Sequence, residues 1–131
     1  RARELASEHP GSALGRLAAD REVLGEDVTR LAREGDGVAV AVLEEAGRWL
    51  GIGLAGFVNV FNPEVITVGG GVMAAGELIL EAAREEVRLR ARPPSRDLVQ
   101  IKEATLGPMS GVLGAAALAR DPSSGEYVLE S

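Results

Sequence analysis

The sequence predicts a helix-rich α/β fold organised around one βαβ unit, and three observations carry that expectation. A β-branched run, Glu64–Val68, is followed at once by Gly69-Gly70-Gly71 and then by an amphipathic pattern from Ala75 to Arg92, the order of strand, glycine loop and helix. A second apolar run, Leu98–Ile101, supplies the returning strand of a right-handed crossover. Upstream of both, Ala, Leu, Arg and Glu dominate, residue types that favour helix over strand.

Arg1–Glu8 and Ser12–Arg21 read as two short helices split by the breaker His9-Pro10-Gly11, each too short to persist without packing partners. Glu26–Glu34 puts Val28, Leu31 and Ala32 on one face, with acids at its start and Gly35 at its C-terminal cap. Asp36 then caps a long helix, Val38–Phe61, which is apolar on nearly every face after Trp49 and so is expected to be buried on several sides. Gly51, Gly53 and Gly56 each lower helix propensity by about 1 kcal/mol relative to Ala, which implies close backbone approach by another element at these positions. Asn62-Pro63 ends the helix. Pro93-Pro94-Ser95 stops the helix that follows the glycine loop, Leu106–Arg120 forms a last, Ala-rich helix, and the tail from Asp121 is expected to be loosely ordered. The opening on Arg1, already in helical sequence, reads as a cut edge.

With 131 residues, 46% of them apolar and 26% charged, the chain has the make-up of a globular domain or part of one. A net charge of −6 and an isoelectric point near 4.8 give no positive field for phosphate backbones or anionic lipid, so neither nucleic acid nor membrane is an expected partner. There are no cysteines, which removes disulfides, thiol nucleophiles and thiolate metal sites. The most apolar stretch is interrupted by Glu44, Glu45 and Arg48, which argues against a membrane span, and a cytoplasmic location is expected.

Chemistry concentrates at Val68-Gly69-Gly70-Gly71-Val72, where bare backbone after a strand and the free N–H groups of a helix start suit a nucleotide. Two other readings stand beside it. The glycines also fit a turn that needs positive φ, and Gly69, Gly71 and Ala74 satisfy G-x-G-x-x-A, with Glu103 after the second strand as ribose acceptor in a Rossmann unit. His9 reads as a solvated surface residue, and Trp49 as core or subunit interface. Glu81, Glu85 and Glu86 interleave with Arg84, Arg88 and Arg90 on a solvated face that includes the ordered pair Glu86 and Arg90. Glu44 and Glu45 point about 100° apart and make a poor acid–base pair.

The stretch Leu50–Val72, which joins Asn62-Pro63-Glu64 to the triple glycine, resembles the ROK family of repressors, open reading frames and sugar kinases. Ala75-Gly76-Glu77-Leu78 is similar to the family's helix start after that loop, and Leu106-Gly107 with Gly111-Val112-Leu113-Gly114-Ala115-Ala116 to its closing segment. Gly25-Glu26-Asp27-Val28 and Arg33-Glu34-Gly35-Asp36 resemble its helical region between sugar and nucleotide sites, with Gly37 standing where relatives often have proline.

The resemblance implies the carboxyl-terminal part of an actin-like, ribonuclease H-like ATPase and sugar-kinase domain, divided into a helical part (1–36), a nucleotide-side α/β part (37–120) and a tail (121–131). Gly69, Gly70, Gly71 and Val72 would sit beside the adenosine and ribose of ATP, with Gly107 and Gly111 bordering the same pocket. The implied activity is glucokinase-like phosphorylation of a hexose by ATP with Mg²⁺, in a homodimer. In relatives the catalytic aspartate, the sugar-binding Glu and His and a cysteine-rich zinc loop all lie upstream of the position of Arg1, so this segment alone is expected to be inactive and to hold no metal. The alternative is a sugar-responsive transcriptional repressor of the same family. A third reading, a nicotinamide-dependent oxidoreductase, needs Gly69 to open the first unit of a dinucleotide domain, yet a long helix comes before it.

Overall fold

The computed structural model describes residues 1–70, 73, 75–105 and 109–120. In order, the elements are α1 (Ala2–Glu8), α2 (Ala13–Asp20), α3 (Gly25–Arg33), α4 (Gly37–Phe61), β1 (Val65–Val68), α5 (Gly76–Arg90), α6 (Ser95–Leu98), β2 (Gln100–Glu103) and α7 (Ser110–Arg120). The predicted tail, 121–131, lies outside the described residues.

The amino-terminal helices are held by caps and by one shared carboxylate. Ser12 accepts a hydrogen bond from the Gly15 N–H at 2.8 Å, and Asp36 accepts from the Ala39 N–H at 2.8 Å as the cap of α4. Asp36 also accepts from the Ala13 N–H at 2.6 Å, so a single side chain fixes the starts of two helices. Gly35, with φ of 90°, closes α3, and Asn62, with φ of 47°, closes α4 in the left-handed conformation that precedes Pro63. Ala6, Leu14, Val28, Leu31 and Leu43 form one core cluster, and Val58, Leu80, Val87 and Ile101 belong to a second.

Helices α4 and α5 pack through small residues. A methyl group on Gly51 would stand 2.5 Å from the Ala83 carbonyl oxygen and 2.7 Å from the Glu86 Cβ, and one on Gly47 would collide with the Ile79 carbonyl. The expected close approach therefore holds at Gly51 and extends to Gly47. It does not hold at Gly53 and Gly56, which have nothing within 4 Å of an added Cβ, because they lie on the opposite side of α4.

That opposite side also corrects the expectation of burial all round. Among the described residues only one face of α4 is covered, chiefly by α5 and the amino-terminal helices, while Trp49, Phe57, Val60 and Phe61 are exposed, Trp49 at 67%. Trp49 is therefore no part of this chain's core. Within residues 1–131 the two-stranded sheet is too small to cover a helix of 25 residues on a second side.

Strands β1 and β2 pair in parallel, with Val65 opposite Gln100 and Val68 opposite Glu103, and α5 makes the crossover. The second strand begins two residues later than its apolar run suggests. Leu98 closes the one-turn helix α6, and the ladder instead takes in Lys102 and Glu103, whose pairing is set by backbone hydrogen bonds to β1 rather than by side-chain hydrophobicity. β2 is the partner of β1 among the described residues, which place no strand on the other edge of β1, as the sequence reading expects for part of a larger sheet. Residues 111–120 of α7 are exposed throughout.

Candidate functional site

Parallel pairing brings the carboxyl ends of β1 and β2 to one edge, the position at which open α/β sheets bind ligands. Val68 and Glu103 are partners in the last rung, and the Ala104 N–H continues the ladder to the Val68 carbonyl at 2.8 Å. Immediately beyond lie Gly69 and Gly70. Gly70 adopts φ of 102°, a conformation that side chains rarely take, so the turn reading of the glycine cluster is correct at this residue. A Cβ on Gly69 would meet the Ala104 Cβ at 3.2 Å, so this glycine lets the two strand exits approach each other.

The chain then re-enters helix. The Met73 N–H donates to the Gly70 carbonyl at 3.1 Å, and Met73, Ala75 and Gly76 are buried. At the first position of α5, a methyl group on Gly76 would stand 3.0 Å from Oε2 of Glu103. The structure thus gathers Gly69, Gly70, Gly76 and Glu103 around one shallow edge. Gly71 and Val72, also assigned to the nucleotide, and Gly107 lie outside the described residues, as does Ala74 of the G-x-G-x-x-A pattern. Gly111 is exposed in α7, with nothing near an added Cβ. Gly76, part of the Ala75-Gly76-Glu77-Leu78 segment that carries the resemblance, comes to this edge as a glycine where a helix would ordinarily begin with a better helix former.

Arg84 ties this edge to α5. Its Nε donates to the Ile101 carbonyl at 3.1 Å, and its Nη1 pairs with Glu77 and, at 3.2 Å, with Glu81. The hydrogen bond to Glu77 is the main reason its pKa is raised, against a smaller opposing effect of burial. Arg90 and Glu86 form the expected pair at 2.6 Å.

The remaining candidates make local contacts. His9 is exposed, with Nδ1 3.1 Å from the Leu5 carbonyl oxygen. Glu45 binds Arg1 at 2.8 Å, which lowers its pKa, and Glu44 lies 3.9 Å from Arg48. Among the described residues there is no group of three acidic, histidine or cysteine side chains placed to hold a metal ion, and no helix is long and apolar enough to cross a membrane.

The ROK family model matches residues 6–122. Over 99 residues the chain is 37% identical to a glucokinase of Streptomyces coelicolor, covering 75% of this chain and 31% of that protein. It is 32% identical over 97 residues to a xylose repressor of Caldicellulosiruptor bescii, covering 74% of this chain and 24% of the repressor. Among solved structures, the ROK family glucokinase of Streptomyces griseus in complex with glucose and AMPPNP superposes with a TM-score of 0.77 at 35% identity, covering 89% of this chain and 39% of that one. The chain therefore spans about a third of the length of the curated glucokinase it matches.

Proposed function

Because the chain belongs to the ROK family and has the fold of part of an actin-like sugar-kinase domain, we propose that it is the carboxyl-terminal, adenosine-binding part of an ATP-dependent hexose kinase. The observation that carries this reading is the likeness to a glucokinase structure that holds glucose and AMPPNP, at a TM-score of 0.77 and 35% identity. In this reading Gly69, Gly70, Gly71 and Val72 lie against adenosine and ribose, the absence of Cβ atoms at the glycines leaving room for the ligand.

Phosphoryl transfer depends chiefly on alignment and on neutralising charge, so the part played here is to hold the nucleoside in register with a sugar bound elsewhere. No proton acceptor for the sugar hydroxyl is assigned to these residues. Mg²⁺ would be carried by the triphosphate and by carboxylates outside residues 1–131, and a zinc site, too, belongs to that upstream part. A homodimer and a cytoplasmic location complete the reading, and the exposed Trp49, Phe57 and Val60 of α4 suit a protein contact.

The xylose repressors among the relatives support a second reading, a sugar-responsive regulator. The test is ATP-dependent phosphorylation of glucose by the full-length protein, followed by a coupled assay. Turnover with ATP supports the kinase; sugar-sensitive DNA binding without turnover would replace it by the repressor.

A further inference from the structure

Resting on the kinase reading, the geometry points to Glu103 as the group that accepts the ribose hydroxyls of the nucleotide, and so sets the preference for a ribonucleotide donor. Three observations converge on it. Glu103 is the last residue of β2, paired with Val68 at the carboxyl edge of the parallel strands, one residue from the glycine turn at Gly69 and Gly70. Strand alternation puts it on the same side as the buried Ile101, two residues earlier, which packs in the core cluster with α5 residues Leu80 and Val87. Its carboxylate consequently lies over the first turn of α5, Oε2 standing 3.0 Å from the position of a Cβ on Gly76.

Among the described residues the carboxylate is also unused. Ala75, the N-cap residue of α5, has no side chain that could cap the helix, and Glu103 stands exposed beside that helix start. Among the described residues it has no hydrogen-bond or ion-pair partner. An ionised carboxylate offers acceptors only, and the vicinal ribose diol offers two donors, so the match is bidentate. In dinucleotide-binding folds of a different topology an acid after the second strand meets the ribose by the same chemistry.

The experiment uses the full-length protein and compares ATP with 2′,3′-dideoxy-ATP in glucose phosphorylation, for wild type and Glu103→Gln. Losing a charge-assisted bond should raise KM for ATP by about tenfold, with kcat within about twofold because the group positions and does not react. The preference of the wild type for ATP over the dideoxy donor should fall towards one in the variant. Glu103→Asp, which keeps the charge near α5 but withdraws it from the diol, should fall between them. Melting temperatures of all three report folding separately. An unchanged ATP preference in Glu103→Gln, or a fall in melting temperature with that preference intact, overturns the ribose role and leaves a helix-dipole contact. Failure of the wild type to use ATP at all overturns the kinase reading itself, and the role of Glu103 with it.

Discussion

Gly51 of α4 and Ala83 of α5 approach so closely that a methyl group on the glycine would lie 2.5 Å from the alanine carbonyl oxygen. Gly51→Ala in residues 1–131 should therefore destabilise by about 1–3 kcal/mol through overpacking, reversing the gain of about 1 kcal/mol that alanine ordinarily brings to a helix. Gly53→Ala, with open space at the same distance, should keep that gain. Urea unfolding of the two variants separates the cases, and equal shifts would contradict this packing.

Asp36 serves two helix starts, through the N–H groups of Ala39 and Ala13. A single cap contributes about 1 kcal/mol, so Asp36→Ala should lose roughly 2 kcal/mol by the same denaturant measurement. Ser12→Ala, which removes one cap bond, provides the internal comparison.

Acid should loosen the amino-terminal helices. The bidentate hydrogen bonds from Arg21, then that from the Leu24 N–H, lower the Asp27 pKa to about 2. For Asp36 burial pushes upward, but the N–H groups of Ala39, Ala13, Leu14 and Val38 outweigh it and the pKa is lowered. A carboxylate with a depressed folded pKa binds fewer protons folded than unfolded, so its stabilisation is complete above the unfolded value of about 3.9. For Asp27 it is lost as pH falls towards about 2. Melting temperature should drop across that window, and Asp27→Asn should flatten the drop.

Gly70 holds φ of 102°, so Gly70→Ala should cost about 1–3 kcal/mol in backbone strain. In the full-length protein it should also weaken ATP binding while leaving sugar binding unchanged, as calorimetry would read.

Phe57 and Phe61 stack at 5.8 Å between ring centroids on the uncovered face of α4, beside the exposed Val60. Residues 1–131 alone should therefore self-associate in sedimentation, and Phe57→Glu should reduce the association. A stable wild-type monomer across the concentration range would contradict this.

Much of this fold was legible because its punctuation is local. Gly35, Asp36 and Asn62-Pro63 act on the backbone within a few residues, and the structure uses each where the sequence suggests. What escaped depends on neighbours far along the chain. Nothing in the spacing of Gly51, Gly53 and Gly56 says which of them faces α5, since that follows from how two helices cross. The limits of β2 escaped for a similar reason: Lys102 and Glu103 are strand residues only because β1 lies alongside. At the site, the glycine turn was visible in the residue types, whereas the meeting of Glu103 with Gly76 needed the crossover in place.

Parallel pairing has a temporal consequence during synthesis. β1 leaves the ribosome before β2, and Val65 must wait for residues 66–99 before Gln100 arrives opposite it. The contact of α4 with α5 can form in that interval, but the strand bearing Glu103 arrives after both helices. A nascent chain released before Gln100 would carry the glycine turn with nothing facing it.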